Sequence, residues 1–167
     1  MFSIQIVRMS EGVEWALHEC LNLTWLEPGE AVTAARLAKY YELPAAYLNK
    51  QLQALARAGI LDSTPGPRGG FRLARRPEDI TMMDVVTAIE GPDGAFRCEE
   101  VLRRSPGDHE GVDYRKSCII SQSMRRAELA WRRELAAVTI ADLKEIVESR
   151  HPAAPGEILR GLRDRRT

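Results

Sequence analysis

The stretch from Thr33 to Gly59 constrains the fold most, because two short helical patterns meet there at a break that one continuous helix could not contain. Thr33 is a suitable N-cap for a helix over Ala34 to Tyr41, with Leu37 turned inward. Leu43-Pro44 then interrupts the chain, since the residue before a proline is pushed out of helical geometry. Pro44 suits the first position of the next helix, Ala45 to Ala58, which Gly59 closes. Leu48, Leu52 and Leu55 form its buried stripe, while Ala46, Asn49, Lys50, Gln53 and Arg57 project from the opposite side. Two short helices joined by a tight turn, the second with a polar and basic outer face, make a helix-turn-helix.

The flanking segments extend this unit. Ile60 to Ser63 and Phe71 to Ala74 show apolar alternation on either side of a Pro/Gly-rich tip, which predicts a β-hairpin. A basic hairpin after a helix-turn-helix reads as a wing. Upstream, Val13, Leu17, Leu21 and Trp25 repeat at helical spacing, predicting a helix from Gly12 to Leu26. Thr81 caps another over Met82 to Glu90. The fold class is therefore mainly α with a small β-hairpin wing.

Residues 91–117 read as a long loop with one short helical piece near Cys98 to Arg104, and a loop of that length is either functional or disordered. A long helix over Ile119 to Ala137 carries Met124, Ala127, Trp131, Leu135 and Val138 on one stripe, a candidate dimer seam centred on Met124, Trp131 and Leu135. Thr139 to Asp142 resembles a capping box for a short helix to Glu148. The expected layout is a DNA-binding domain over residues 10–90 with its wing at 60–74, a loop at 91–118, dimerisation helices at 119–149 and a tail at 150–167.

Charge supports a polyanion partner. The formal net charge is zero, yet residues 31–76 hold eight basic side chains against Glu42 and Asp62 alone. Tyr47, Lys50 and Arg57 are expected to reach phosphates of double-stranded DNA, with Arg36 and Arg72 in the same interface. Asn49 and Gln53 are placed for base edges, and Arg68 at the wing tip for the minor groove. The composition contains no Ser/His/Asp set and no phosphate-cradling glycine loop, so an enzyme is not expected. No run of 18 apolar residues and no signal peptide is apparent, giving the expectation of a cytoplasmic protein without a membrane partner. Three irregularly spaced cysteines, Cys20, Cys98 and Cys118, suit a reducing compartment.

The ordered series Leu37-Ala38, Tyr47-Leu48-Asn49-Lys50, Leu55 to Ser63, Gly66 to Arg75, Ile80-Thr81, Asp84-Val85-Val86 and Ala88-Ile89-Glu90-Gly91 resembles the iron–sulfur winged-helix repressors of the IscR, NsrR and RsrR type. The resemblance implies a homodimeric DNA-binding repressor. Cluster-holding members usually carry three close cysteines after the fourth helix, whereas this chain has Cys98 and Cys118 with nineteen residues between. That gap, with Gly12 to His18, is similar to the RsrR-like members, and implies a redox-sensing [2Fe–2S] site of Glu14, His18, Cys98 and Cys118.

The chemistry is consistent, since Glu14 and His18 are four apart and share a helix face, and imidazole ligation raises the potential of such clusters. Zn²⁺ is the alternative occupant of the same set. Cys118 could instead be a small hydrophobe, and Cys20 reads as structural. Trp15, next to Glu14, is a packing residue or a redox-coupled switch; His109 and His151 carry no ligand signature. Two other readings stay open, a cluster-free regulator answering through thiols or a partner protein, and a zinc-stabilised interaction module.

Overall fold

The computed structural model describes residues 9–67, 69–107 and 109–163. Arg68, expected at the wing tip, lies outside the described residues. Helix α1 spans Glu11–Leu23, α2 Ala34–Tyr40 and α3 Ala45–Arg57, followed by strands β1, Leu61–Thr64, and β2, Gly70–Leu73. Helix α4 covers Met82–Glu90, α5 Tyr114–Ser117, α6 Ile119–Ala136, α7 Ile140–Arg150 and α8 Ala154–Arg163.

The helix-turn-helix and wing form as the sequence predicts. Thr33 accepts a hydrogen bond from the Arg36 backbone at the start of α2. Pro44 stands at the N-cap of α3, one position earlier than expected. The strands pair antiparallel from Leu61 opposite Leu73 to Thr64 opposite Gly70. Val32 bridges to Phe71 and anchors the wing to the chain entering α2. Gly70 permits that approach: it has φ +141°, and a Cβ there would sit 2.4 Å from the Val32 carbonyl carbon.

One core gathers these elements. Ala16, Cys20 and Leu23 of α1 are buried with Leu37, Leu48, Leu52, Leu55, Ile80 and Val85. Helix α1 packs against α3, α4, α7, α8 and β2. It ends at Leu23, earlier than the predicted Leu26, yet Trp25 stays buried and its indole donates to Glu148 at 2.8 Å.

After α6 the chain returns to the core through two capping boxes set side by side, Thr81/Asp84 at α4 and Thr139/Asp142 at α7. The Met82 amide donates to Val138 at 2.8 Å and the Ile140 amide to Ile80 at 2.9 Å, tying the two helix starts together. The expected loop over 91–118 holds a 3-10 turn at Val101–Arg104 and the single turn of α5.

The C-terminal stretch differs most from expectation. In place of a tail, α8 packs on α1, α2 and α7 and drives Leu162 into the core, where it is 1% exposed. Two prolines and two glycines hid this helix. Pro155 falls in the first turn, where proline is tolerated, and Gly161 abuts the Tyr40 ring. Leu162→Ala is expected to lower unfolding free energy by about 2–4 kcal/mol, as for a core leucine. Denaturant midpoints check this, because truncating a leucine in a solvated tail would leave them unchanged.

Candidate nucleic-acid interface and metal site

The outward face of the helix-turn-helix carries the side chains the pattern assigned to it. Arg36 on α2 and Asn49, Lys50 and Arg57 on α3 are exposed, and Tyr47 and Gln53 are half-buried. Arg72 on β2 is exposed but held 3.6 Å from Asp62, its cross-strand partner. Gln51, on the inner side of α3, lies against Gly12 of α1 so closely that a Cβ there would meet its amide nitrogen at 2.7 Å. Helix α3 is thus seated directly on α1.

Glu14 and His18 lie one turn apart on α1, both exposed. Beside them Tyr41, in the turn of the helix-turn-helix, collects several contacts that the sequence did not signal. Its ring meets Trp15 edge-on at 5.1 Å and Tyr40 edge-on at 4.9 Å, and lies 6.5 Å from the His18 ring. The Asn22 side-chain amide donates to its hydroxyl. Burial above all, with nearby Glu19 adding, pushes the phenol above its usual range. The α1 face that bears Glu14 and His18 therefore borders the turn of the helix-turn-helix at Tyr41.

Cys98 and Cys118 are half-buried and line one cavity of about 840 Å³, together with Phe96, Val101, Leu102, Tyr114, Ile119 and Ile120. Ser121 fastens this region by donating to the Arg115 carbonyl at 2.9 Å, and Arg132 reaches the Pro92 and Asp93 carbonyls. The structure thus brings the two cysteines together and, separately, the carboxylate and imidazole. It does not join the pairs: among the described residues no three His, Cys, Asp or Glu side chains converge as a metal site.

The Rrf2 family model, described as iron-dependent transcriptional regulators, matches residues 9–146. This chain belongs to the Rrf2 family. Among curated relatives, it is 30% identical to YffB of Lactococcus lactis over 139 residues, 83% of this chain and 88% of the relative. It is 34% identical to IscR of Cereibacter sphaeroides over 70 residues, 42% and 45% of the two chains. Among solved structures, IscR of T. potens superposes with a TM-score of 0.65 at 19% identity, covering 89% of this chain and 94% of that one. CymR of B. subtilis gives 0.59 at 20% identity, covering 84% and 98%. These neighbours share the fold. The Rrf2-family chain is accordingly a DNA-binding transcriptional regulator, and no described helix is long and apolar enough to cross a membrane.

Helix α6 of this Rrf2 protein leaves apolar surface uncovered. Ile119 is 76% exposed, Ile120 65% and Met124 40%, whereas Trp131 and Leu135 are half-buried, on a helix that packs against α4 of the same chain. Ile120 precedes Met124 by one turn, so the exposed apolar stripe of α6 continues from Met124 to Ile120.

Inside the domain, two groups on α1 are buried next to the exposed pair. Cys20 lies in the core, as expected of a structural cysteine, and burial pushes its thiol up to about 12. Glu19 is fully buried, neither carboxyl oxygen has a hydrogen-bond partner, and burial pushes its pKa up to about 8. Nothing in the sequence pattern marked it beyond an acid at an inward position. A carboxyl protonated in the folded state and ionised in the unfolded one makes the folded state bind the extra proton. Stability is then fully present below the unfolded pKa and falls as pH rises toward 8. Unfolding free energy should drop between pH 5 and pH 8 by up to about 1.4 kcal/mol per pH unit. Glu19→Met, similar in volume and without a charge, should flatten the profile in urea titrations; an unchanged slope would show Glu19 to be ionised in the folded protein.

Proposed function

We propose that this Rrf2-family regulator is a homodimeric, redox-responsive repressor of palindromic operators that holds a [2Fe–2S] cluster through Glu14, His18, Cys98 and Cys118. One observation carries the reading. Two cysteine side chains share an apolar-walled cavity, a carboxyl and an imidazole side chain share an exposed face of α1, and neither pair is a site alone. The donor chemistry fits the cluster once the two pairs come from different copies. The exposed apolar side chains Ile119 and Ile120, which line the cysteine cavity, supply the reason for a second copy to dock there.

When bound, the cluster supplies one-electron chemistry at a potential raised by its non-thiolate ligands. The protein's own part is mechanical. Helix α1 carries Glu14 and His18 on one side and seats α3 through Gly12 and Gln51 on the other, so a constraint on its outer face reaches the recognition helix. Trp15 of α1 and Tyr41 of the turn before α3 meet edge-on. Dimerisation along Ile120, Met124, Trp131 and Leu135 sets the recognition helices about 34–36 Å apart, matching one turn of DNA.

At the interface, Arg36, Tyr47, Lys50, Arg57 and Arg72 position the protein on phosphates, Arg68 enters the minor groove, and Asn49 and Gln53 read bases. Lys50→Ala or Arg57→Ala should weaken binding to all sequences and flatten the salt dependence by about one phosphate contact each. Asn49→Ala or Gln53→Ala should relax preference at one base pair by about 1–3 kcal/mol. Affinity measured on operator and mismatched duplexes at several salt concentrations checks the division; four identical responses would dissolve it.

The metal reading is tested by absorbance and metal content after anaerobic purification. Cluster absorbance lost in Cys98→Ala and His18→Ala but kept in Cys20→Ala supports it. A colourless protein with stoichiometric Zn²⁺ replaces the cluster by zinc, and a metal-free protein that still binds its operator leaves a thiol- or partner-responsive regulator. With the cluster present, the oxidised form should bind the operator more tightly than the reduced form, by a coupling of about 1–3 kcal/mol, in gel shifts at fixed salt.

A further inference from the structure

Helix α8 lies beyond the segment that matches the family model, and it packs along α2, the first helix of the helix-turn-helix. The approach is close. A Cβ on Gly161 would fall 2.5 Å from Cε2 of Tyr40, so only glycine lets the two helices meet there. Beside this contact Arg36, Lys39, Tyr40 and Gly161 line a cavity of about 160 Å³. That volume is several times the share of one water in the liquid, about 30 Å³, and accommodates a single tetrahedral oxyanion.

Arg36 and Lys39 are three residues apart on α2, so their side chains occupy one face, and both are exposed. Glu30 is an acid close enough to feel Arg36, and α8 occupies it: Arg163 donates to both of its oxygens, at 2.9 and 2.7 Å. Helix α8 therefore walls the cleft and also engages the carboxylate that would otherwise compete for Arg36. When the second helix of such a motif enters the major groove, the first crosses the sugar–phosphate backbone. The cleft then lies where a backbone phosphate passes.

We propose that the α2–α8 cleft binds one phosphodiester of duplex DNA, with Arg36 and Lys39 sharing that phosphate and α8 forming the wall that shapes the site. The proposal rests on DNA docking through the helix-turn-helix and is independent of any metal. Arginine offers a planar pair of donors and lysine a point charge, so the two complement each other on one anion. Such a contact fixes the protein along the backbone without reading sequence.

The test measures the affinity of the full-length protein for a short random-sequence duplex across salt concentrations. Arg36→Ala and Lys39→Ala should each reduce the slope of log affinity against log salt by about 0.9, the value for one phosphate. The double variant should lose the same single increment, because one phosphate is shared. Gly161→Val, which forces Tyr40 and α8 apart, should reproduce the loss with both cations in place. If that variant does not fold, Arg163→Ala serves instead, since it releases Glu30 toward Arg36 and should also lower the slope.

Additive losses in the double variant would overturn the shared site, and unchanged slopes would remove the cleft from the interface. A thermal upshift by inorganic phosphate that both single variants abolish, with DNA slopes intact, would assign the cleft to a free anion and overturn the proposal. A wild-type slope near zero would instead reject docking through the helix-turn-helix itself.

Discussion

The burial of helix α1 is the constraint on which the rest of this structure depends. Its inner face packs against α3, α4, α7, α8 and β2, so recognition helix, wing and C-terminal helices share one apolar contact surface. Close packing of that kind transmits displacement, because a core without voids cannot absorb a shift at one helix without moving another. The same helix bears Glu14 and His18 on its solvent side. A helix that is central to the core and carries polar ligand types on its one free face is well suited to link an external event to the position of α3.

That link has an unusual polar lining. Glu19 enters the α1 interface with neither oxygen paired, and the buried Asn22 donates to the hydroxyl of the half-buried Tyr41. Burying an unpaired carboxyl carries a large desolvation cost, which the protein reduces by keeping the proton on. A core optimised only for stability would place an apolar side chain at residue 19. A region held below its stability optimum is where a small bias can shift an equilibrium.

The chain's other asymmetry is at α6. Apolar side chains at its N-terminal end remain exposed beside the cavity of the two cysteines, while the C-terminal half packs back toward α4. The arm is thus rigidly joined to its own domain through the paired capping boxes of α4 and α7, yet offers an unfinished surface at its far end. This geometry is what motivates the proposed sharing of ligands between two copies: Glu14 and His18 stand on α1, and Cys98 and Cys118 line a separate cavity.

Local patterns in the sequence determined the elements. The break at Leu43-Pro44, the leucine stripe of α3, the glycine-rich hairpin tip and the Thr-to-Asp capping boxes act over a few residues, so the helix-turn-helix, the wing and the starts of α4 and α7 were legible without coordinates. The outward set Asn49, Lys50 and Arg57 followed from helical period alone. What tertiary structure decided was every relation between residues far apart in the chain. It turned an expected tail into α8, because Leu162 gains a core to enter and Gly161 a ring to press against, neither visible within ten residues of sequence. It gathered Trp15, His18 and Tyr40 around Tyr41 and put Cys98 and Cys118 on the lining of one cavity. It also kept Glu14 and His18 away from those cysteines within one chain, since α1 is locked in the core by its inner face and cannot bring its outer face to the loop.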